Sequence, residues 1–190
     1  MDKQLINYLQ LFRPITIADG KIIASFFEPK AFKEGDFLFE GNKVARELFF
    51  VGKGVVRIGS VNDKGTEITH IFYNENHLCS ILQSFNDEVH TSAFIQACCD
   101  VEVLSISKGR LLDLYKQLPY LKELIDQLNQ LNLIRKVNMR NTYLGEDAET
   151  QYRMFTMQHP DIALRVPLKD IASYLGITQQ SLSRIRKNIR

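Results

Sequence analysis

Residues 166–190, with the sequence VPLKDIASYLGITQQSLSRIRKNIR, constrain the fold of this chain more than any other stretch. Their first half has apolar residues at the spacing of one helix face, namely Leu168, Ile171, Ala172 and Leu175. Gly176 suits the left-handed position that ends a helix, and Thr178 is typical of an N-cap because its hydroxyl can accept a hydrogen bond from a free backbone N–H. A second apolar side follows, formed by Leu182, Ile185 and Ile189. The pattern predicts two short helices around a glycine turn, which is the helix-turn-helix arrangement.

The opposite side of the second predicted helix is polar, and it carries Gln179, Gln180, Ser183, Arg184 and Lys187. Amide and guanidinium groups can form paired hydrogen bonds with the edges of DNA bases. The alternative interpretation is an ordinary corner between two helices with a solvated face. The small Ala172, the turn residue Gly176 and the apolar spacing fit together, and this combination favours DNA binding.

The distribution of charge supports the same interpretation. Residues 151–190 hold seven basic and two acidic residues, a net charge of +5, whereas the rest of the chain carries −3 of the total of +2. A basic C-terminal segment on an acidic body is typical of a nucleic-acid-binding end joined to a sensing or assembly part.

Composition also sets expectations about the compartment. The sequence contains no apolar run long enough to span a bilayer and no signal-peptide pattern, so we expect a cytoplasmic protein that does not enter a membrane. Its cysteines are Cys79, Cys98 and Cys99, an odd number with two adjacent, which does not indicate a disulfide framework.

The centre of the chain has a different texture from its ends. Helical patterns cover residues 2–12 and 16–27, and residues 32–106 then give short β-rich runs broken by glycine. Several short strands at regular spacing predict an antiparallel barrel or sandwich.

A long helix is predicted from Tyr120 to Thr142, after a shorter one that Pro119 closes. Its apolar residues recur three and four positions apart, at Leu121, Leu124, Leu128 and Leu131. This spacing is that of a coiled-coil dimer seam, although the same leucines could instead lie on the chain's own barrel. We favour the partner helix, because Ile125, Leu133 and Ile134 offer a second face for the body.

Barrel, long helix and helix-turn-helix, in this order, resemble the cyclic-AMP receptor protein / fumarate–nitrate regulator (Crp/Fnr) family of bacterial transcription factors. The resemblance rests on residues 171–177 and 181–185, and in the β-rich part on residues 32–36, 39–41, 51–57 and 64–67. It implies an α+β fold with a jelly-roll-like antiparallel β-roll in residues 1–118, a dimerisation helix in 119–143 and a helix-turn-helix domain in 144–190. It further implies a homodimer that binds a palindromic site on double-stranded DNA.

The resemblance also assigns roles to individual residues. The base-contacting positions of the family fall on Gln179, Gln180 and Arg184. Phosphate contacts, which position a protein without selecting a sequence, are expected from Lys169, Thr178, Ser181 and Lys187. Many relatives continue into a β-hairpin wing, whereas this sequence ends at Arg190, so we expect backbone contacts from the helices and the basic tail.

The ligand pocket departs from the family pattern. Cyclic-nucleotide binders of the family carry a glutamate for the ribose and an Arg-Ser pair for the cyclic phosphate. Here no glutamate stands at the matching place near Ser80, and the pair becomes Thr91-Ser92, which removes the charged clamp. We therefore expect a small-molecule effector other than cyclic AMP, or none, with Ser80, Thr91 and Ser92 as the candidate pocket residues.

Other functions are less well supported. The iron–sulfur branch of the family carries a cysteine cluster near the N-terminus, and no cysteine precedes Cys79 here, so the resemblance implies no such cluster. The histidines have no metal-ligand spacing either, and we expect no cofactor and no metal. An enzyme is not expected either, because Asp87, Glu88 and His90 resemble a polar loop. The remaining alternative is a ligand-binding or assembly module with a vestigial helix-turn-helix.

Overall fold

The computed structural model describes residues 1–189, apart from the side chain of Arg140, and the predicted basic residue Arg190 lies outside the described residues. The helices are α1 (Asp2–Gln10), α2 (Ile17–Phe26), α3 (Leu82–Asp87), α4 (Lys108–Gln117), α5 (Tyr120–Thr142), α6 (Ala148–Gln158), α7 (Pro160–Arg165), α8 (Leu168–Leu175) and α9 (Gln179–Asn188). The strands are β1 (Glu28–Phe32), β2 (Phe37–Phe39), β3 (Lys43–Val44), β4 (Glu47–Lys53), β5 (Val56–Val61), β6 (Glu67–Tyr73), β7 (His77–Cys79), β8 (His90–Thr91), β9 (Phe94–Ala97) and β10 (Val101–Ser107).

The strands form two antiparallel sheets with the orders β1-β10-β4-β7 and β2-β9-β5-β6, and a two-stranded ribbon of β3 and β8. In the first sheet Phe50 pairs with Leu104 on one side and Leu78 on the other. Phe49, Val103 and Ile95 are buried in the apolar cluster within the barrel. The predicted antiparallel β-roll is confirmed, together with a helical C-terminal region.

Side-chain caps fix where several helices begin, because they bond backbone N–H groups that have no partner within the helix. The Thr16 hydroxyl accepts from the Asp19 N–H at the start of α2, and the Asp147 carboxylate accepts from the N–H groups of Glu149 and Thr150 at the start of α6. Two short helices, α3 and α7, were not expected from the sequence.

Helix α5 has the predicted limits, but its predicted dimer seam does not hold. Leu121, Leu124 and Leu128 are buried among α1, α2, α4 and the outer face of the barrel, with at most 2% of each side chain exposed. Only Leu131 of the four predicted seam residues is exposed, at 49%. The chain's own N-terminal helices cover the leucines, so this face of α5 anchors the helix to the body.

The C-terminal helices share their apolar core with the barrel. Phe72 of β6 and Cys98 lie in the same buried cluster as Phe155 of α6 and Leu182 of α9. Phe72 also contacts Tyr174 of α8, with 5.2 Å between the ring centroids. The C-terminal helices α6 to α9 are therefore packed against the barrel of their own chain. The domain limits expected from the sequence stay a prediction.

Candidate nucleic-acid interface

Helices α8 and α9 meet at the turn that the sequence predicts. Gly176 has φ +70°, the left-handed conformation that favours glycine, and the Ile177 N–H donates to the Ala172 carbonyl at 3.0 Å. The Thr178 hydroxyl then accepts from the Ser181 N–H at 3.1 Å and caps α9. Leu182 has no exposed surface and packs α9 against the core. Packing on one side leaves the opposite side of α9 in solvent.

That opposite side carries the predicted base-contacting residues. Gln179, Gln180 and Arg184 are exposed, and so is Lys187 one turn further on. Arg184 and Lys187 form no ion pair with any described residue. The surface is therefore a set of unoccupied donors and positive charge on one helix face. The base and phosphate contacts assigned to these residues stay a prediction.

The remaining predicted phosphate-contacting residues are less uniform. Lys169 is exposed on α8, whereas Ser181 is half-buried in the first turn of α9. The Thr178 hydroxyl donates to the Ser181 hydroxyl at 2.9 Å, so these two side chains are paired with each other. The exposed Lys169 is therefore the freer donor among these residues.

Helix α8 is bound to the outer edge of the barrel. Strand β6 is the last strand of its sheet, and the Thr69 N–H donates to the Ser173 hydroxyl at 2.9 Å. The same hydroxyl donates to the Glu67 carbonyl at 2.9 Å. Ser173 thus takes the place that a neighbouring strand would have along this edge.

A buried arginine of the barrel, Arg57, reaches helix α8 one turn from Ser173. Arg57 is 1% exposed, and its Nη1 lies 3.2 Å from Asp170 Oδ1 of α8. Nη1 also donates to the Thr69 hydroxyl at 3.0 Å, and Nε and Nη2 donate to Gln96 Oε1 at 3.0 and 2.6 Å. Nη2 forms a further ion pair with Glu67. Burial raises the pKa of Asp170, and the positive charge of Arg57 opposes that shift.

A second ion pair has its charges the other way round, with the anion on the barrel and the cation on helix α7. Arg165 of α7 donates from Nη1 and Nη2 to Glu75 Oε1 and Oε2 at 2.5 and 2.9 Å. Glu75 Oε1 also accepts from the Gly54 N–H at 2.7 Å. Burial opposes ionisation of Glu75, but the hydrogen bonds from Arg165 and from backbone N–H groups outweigh it and lower its pKa to about 2.

Helix α5 is joined to the barrel through His77. Its Nδ1 lies 3.2 and 3.0 Å from the carbonyls of Asn74 and Glu75, and its Nε2 lies 2.5 Å from Arg135 Nη1. This pattern fits the neutral tautomer with the proton on Nδ1. Burial, followed by the charge of Arg135, lowers the pKa of His77.

The predicted ligand-pocket residues are largely occupied by the chain itself. Ser80 is buried and its hydroxyl donates to the Glu47 carbonyl at 2.8 Å, while the Thr91 hydroxyl accepts from the Ala93 N–H at 3.1 Å. Ser92 is exposed. A cavity of about 190 Å³ opens in the barrel nearby, but other residues line it, and these are Leu38, Phe39, Lys43, Val44, Ala45, Arg46, Glu47, Phe49 and Ile95. Its lining combines apolar side chains with the basic Lys43 and Arg46 and the acidic Glu47.

Two further findings concern the described residues as a whole. None of their helices has the length and hydropathy needed to cross a membrane. They contain no group of three or more His, Cys, Asp and Glu side chains arranged to hold a metal ion.

Comparison with known proteins relates the barrel to one domain family. Residues 29–118 match the family described as cyclic nucleotide-binding domain. No curated protein matches the sequence.

Solved structures extend the likeness to most of the chain. FixK2 from Bradyrhizobium japonicum is similar with a TM-score of 0.71 and 15% identity, covering 86% of this chain and 84% of that one. CLP from Xanthomonas campestris, a global regulator described as responsive to c-di-GMP, has a TM-score of 0.71, 14% identity and coverages of 92% and 91%. The catabolite activator protein of Thermus thermophilus has a TM-score of 0.59, 21% identity and coverages of 94% and 85%. At these identities the likeness shows a shared fold.

Proposed function

We propose that this chain is a dimeric, sequence-specific DNA-binding regulator, because residues 29–118 match the cyclic nucleotide-binding domain family and most of the chain shares the fold of solved regulators of the Crp/Fnr type. In this proposal α9 enters the major groove of a palindromic site, and Gln179, Gln180 and Arg184 contact bases. The fold is shared with a catabolite activator protein, with the global regulator CLP and with a regulator of the Crp/Fnr family from Eubacterium rectale, which favours a regulator over an enzyme. The protein would act in the cytoplasm, where bacterial DNA is.

One observation carries the proposal, namely the exposed polar face of α9 on a rigid two-helix scaffold. Leu182 is fully buried beneath it, and Gly176 holds the turn in the left-handed conformation. Arg184 presents a planar fork that matches the O6 and N7 acceptors of guanine. Lys187 adds a positive charge for the phosphate backbone.

The proposed dimer contact lies on the free face of α5, in place of the leucine seam expected from the sequence. Leu133 and Ile134 are each 57% exposed, and Val137 is 50% exposed. With 3.6 residues per helical turn these three positions span an arc of about 100°, so they fall on one side of the helix. This side is opposite to the face that Leu121 and Leu128 bury in the body. Helices of two chains that pack through it would carry two copies of α9 related by twofold symmetry, as a palindrome requires.

The effector in this proposal differs from cyclic AMP. The cavity in the barrel has the basic side chains Lys43 and Arg46 at its lining, but the chain lacks the glutamate and arginine that hold a cyclic nucleotide in the family. The basic residues Lys43 and Arg46 outnumber the acidic Glu47 at this lining, so a small anionic molecule with an apolar part matches it better.

The experiment that tests the proposed function is selection of bound duplexes from a random DNA pool, with the full chain and no added ligand, at two salt concentrations. The expected result is enrichment of a twofold palindrome whose half-sites remain selected at the higher salt. Binding without any selected sequence that disappears with salt would contradict the proposal, because phosphate contacts alone behave in this way. That result would favour a ligand-binding or assembly module with a vestigial helix-turn-helix.

A further inference from the structure

The covalent connection between α5 and α6 does not by itself orient the helix-turn-helix. Between the end of α5 at Thr142 and the start of α6 at Ala148 the chain forms a turn, in which Leu144, Gly145 and Glu146 are exposed. A hypothetical Cβ on Gly145 would meet no atom within 4 Å. Tyr143 in this turn is buried and contacts Tyr174 of α8, but the turn residues that follow it are exposed, so contacts between the barrel and the C-terminal helices must contribute to the orientation of α9.

Three polar contacts between barrel and helix-turn-helix provide that orientation, and we define them together as the docking interface. They are the Arg57–Asp170 ion pair, the Arg165–Glu75 ion pair and the two hydrogen bonds of Ser173 to strand β6. Around them the apolar side chains of Phe72, Cys98, Phe155 and Tyr174 form one cluster.

The polarity of the two ion pairs makes the docking interface directional. In one pair the barrel supplies the cation, Arg57, and in the other it supplies the anion, Glu75. A rotated arrangement that exchanged the partners would place like charges together, and like-charge contacts suppress incorrect arrangements. The Ser173 hydroxyl also fixes the distance between α8 and strand β6, because it bonds both the Thr69 N–H and the Glu67 carbonyl.

Such contacts contribute orientation more than net stability. Removing two charges from water costs free energy that their attraction repays only in part, so a buried ion pair is weak evidence for stability. Fixing one register among several is the best-attested use of a buried polar group. Arg57 is fully hydrogen-bonded and 1% exposed, which suits that use.

We propose that Arg57, Glu75, Arg165, Asp170 and Ser173 are positioning residues that hold α9 at one orientation on the barrel and thereby set the half-site spacing that the dimer accepts. The inference rests on the proposed function, since it concerns how a DNA-binding dimer selects its site. None of these residues has to contact DNA for the effect.

The first test needs no DNA. Reaction of the native protein with a thiol reagent is followed by mass spectrometry, which locates each labelled cysteine. Cys98 lies in the cluster beside the docking interface, whereas Cys79 lies within the barrel, and they are 1% and 2% exposed. Combining Arg165→Glu with Ser173→Ala should speed labelling of Cys98 about tenfold, a typical size for a coupling between sites, and leave Cys79 protected. Arg153→Glu is the matched control, because Arg153 pairs with Glu149 of its own helix.

Unchanged labelling of Cys98 in the combined variant would overturn the docking role. Equal acceleration at Cys79 and Cys98 would also overturn it, because that pattern reports opening of the whole barrel. Arg165→Lys keeps the positive charge beside Glu75 but loses the bidentate contact, so its labelling rate at Cys98 should lie between those of the wild type and the combined variant.

The second test measures binding to the selected palindrome and to versions with one base pair added to or removed from the spacer. The combined variant should bind the preferred spacing about tenfold more weakly and discriminate less between spacings, with unchanged base preference inside each half-site. Wild-type spacing preference in a variant that exposes Cys98 would overturn the positioning role. If the wild-type chain bound no palindrome, the proposed function would fail, while the Cys98 measurement would still decide the docking interface.

Discussion

At the scale of single residues, Arg184 is the most informative side chain of the candidate interface. It is exposed on α9, it forms no ion pair with the described residues, and its guanidinium can bond two acceptors of one guanine. Arg184→Ala should weaken binding to the preferred site by about 1–3 kcal/mol and relax selectivity at one base position. A binding titration against the selected site and its single-base variants measures both effects.

The control for this prediction removes the same charge elsewhere in the domain. Arg153→Ala takes away a cation on α6 that is paired with Glu149, and it should leave the selected sequence unchanged. Equal losses for both variants, with no change in base preference, would mean that Arg184 contributes only general electrostatic attraction.

The role of a single residue could be predicted where it depends only on residues close to it in the sequence. Gly176 and Thr178 are identified by the turn and cap that they form, which involve neighbours a few residues away. Arg57 was missed, although a charged residue between apolar ones in the run VVRIGSV gave a signal. Its partner Asp170 lies on another part of the chain, and only the tertiary structure brings the two together.

At the scale of elements, the turn between α8 and α9 gives a prediction with a built-in comparison. Gly176→Ala should lower the free energy of unfolding by about 1–2 kcal/mol, because an alanine in the left-handed conformation is strained. Gly109→Ala, in the first turn of α4, should raise it by about 0.5 kcal/mol, because alanine loses less conformational entropy in a helix. A hypothetical Cβ would meet no atom within 4 Å at either position, so backbone conformation alone separates them. Urea unfolding of both variants decides the sign, and two changes of equal sign would contradict this account.

Helix α5 gives a prediction about assembly. Ile134→Asp should yield a folded monomer, because it places a charge in the proposed dimer contact while the 57% exposed side chain contributes little to the chain's own core. Sedimentation velocity measures the change. Ile17→Asp, at an 83% exposed position of α2, is the control and should leave the sedimentation coefficient unchanged. Leu128→Asp should instead unfold the chain, since Leu128 is 1% exposed. A folded Ile134→Asp dimer would place the contact elsewhere.

The elements show what periodicity can and cannot reveal. The limits of α5 followed from its pattern, whereas α3 and α7, each of six residues, are too short to show a helical period. The leucine spacing shows that one face of the helix is buried, but it does not show which part of which chain buries it. Here the cover of Leu121, Leu124 and Leu128 includes α1 and α2 from the start of the same chain.

At the scale of the whole molecule, the stability that the contact between the barrel and the C-terminal helices contributes should depend on pH. The pKa of Glu75 is held at about 2, below its ordinary value of 4.5, so the folded state binds its proton less readily than the unfolded state. The stabilisation is fully present above pH 4.5 and is lost as the pH falls toward 2. Glu75→Gln should therefore cost about 1–2 kcal/mol at pH 7, less than the shift itself implies because the pair is partly hydrated, and progressively less in acid.

Urea unfolding of the wild type and Glu75→Gln at pH 7, 5 and about 3.5 checks this prediction, since the difference between the proteins isolates one carboxylate. A difference that stays constant over this interval would mean that the charge of Glu75 contributes no stability. His77 contributes to the pH dependence at a higher pH than Glu75. Its pKa is lowered in the folded state, so the folded protein binds a proton there less readily than the unfolded chain, and stability falls when the pH drops below the ordinary histidine pKa of 6.5.

The bond between Ser173 and strand β6 also has a consequence for how the barrel behaves toward other copies of itself. A strand at the end of a sheet exposes unpaired N–H and C=O groups, which are a template for intermolecular strand addition and aggregation. Helix α8 occupies the Thr69 N–H and the Glu67 carbonyl, and its neighbours cover the aromatic ring of Phe72. Helix α8 thus protects this edge of the barrel, and a chain shortened before α6 would present a bare, partly aromatic strand of the kind that pairs between molecules.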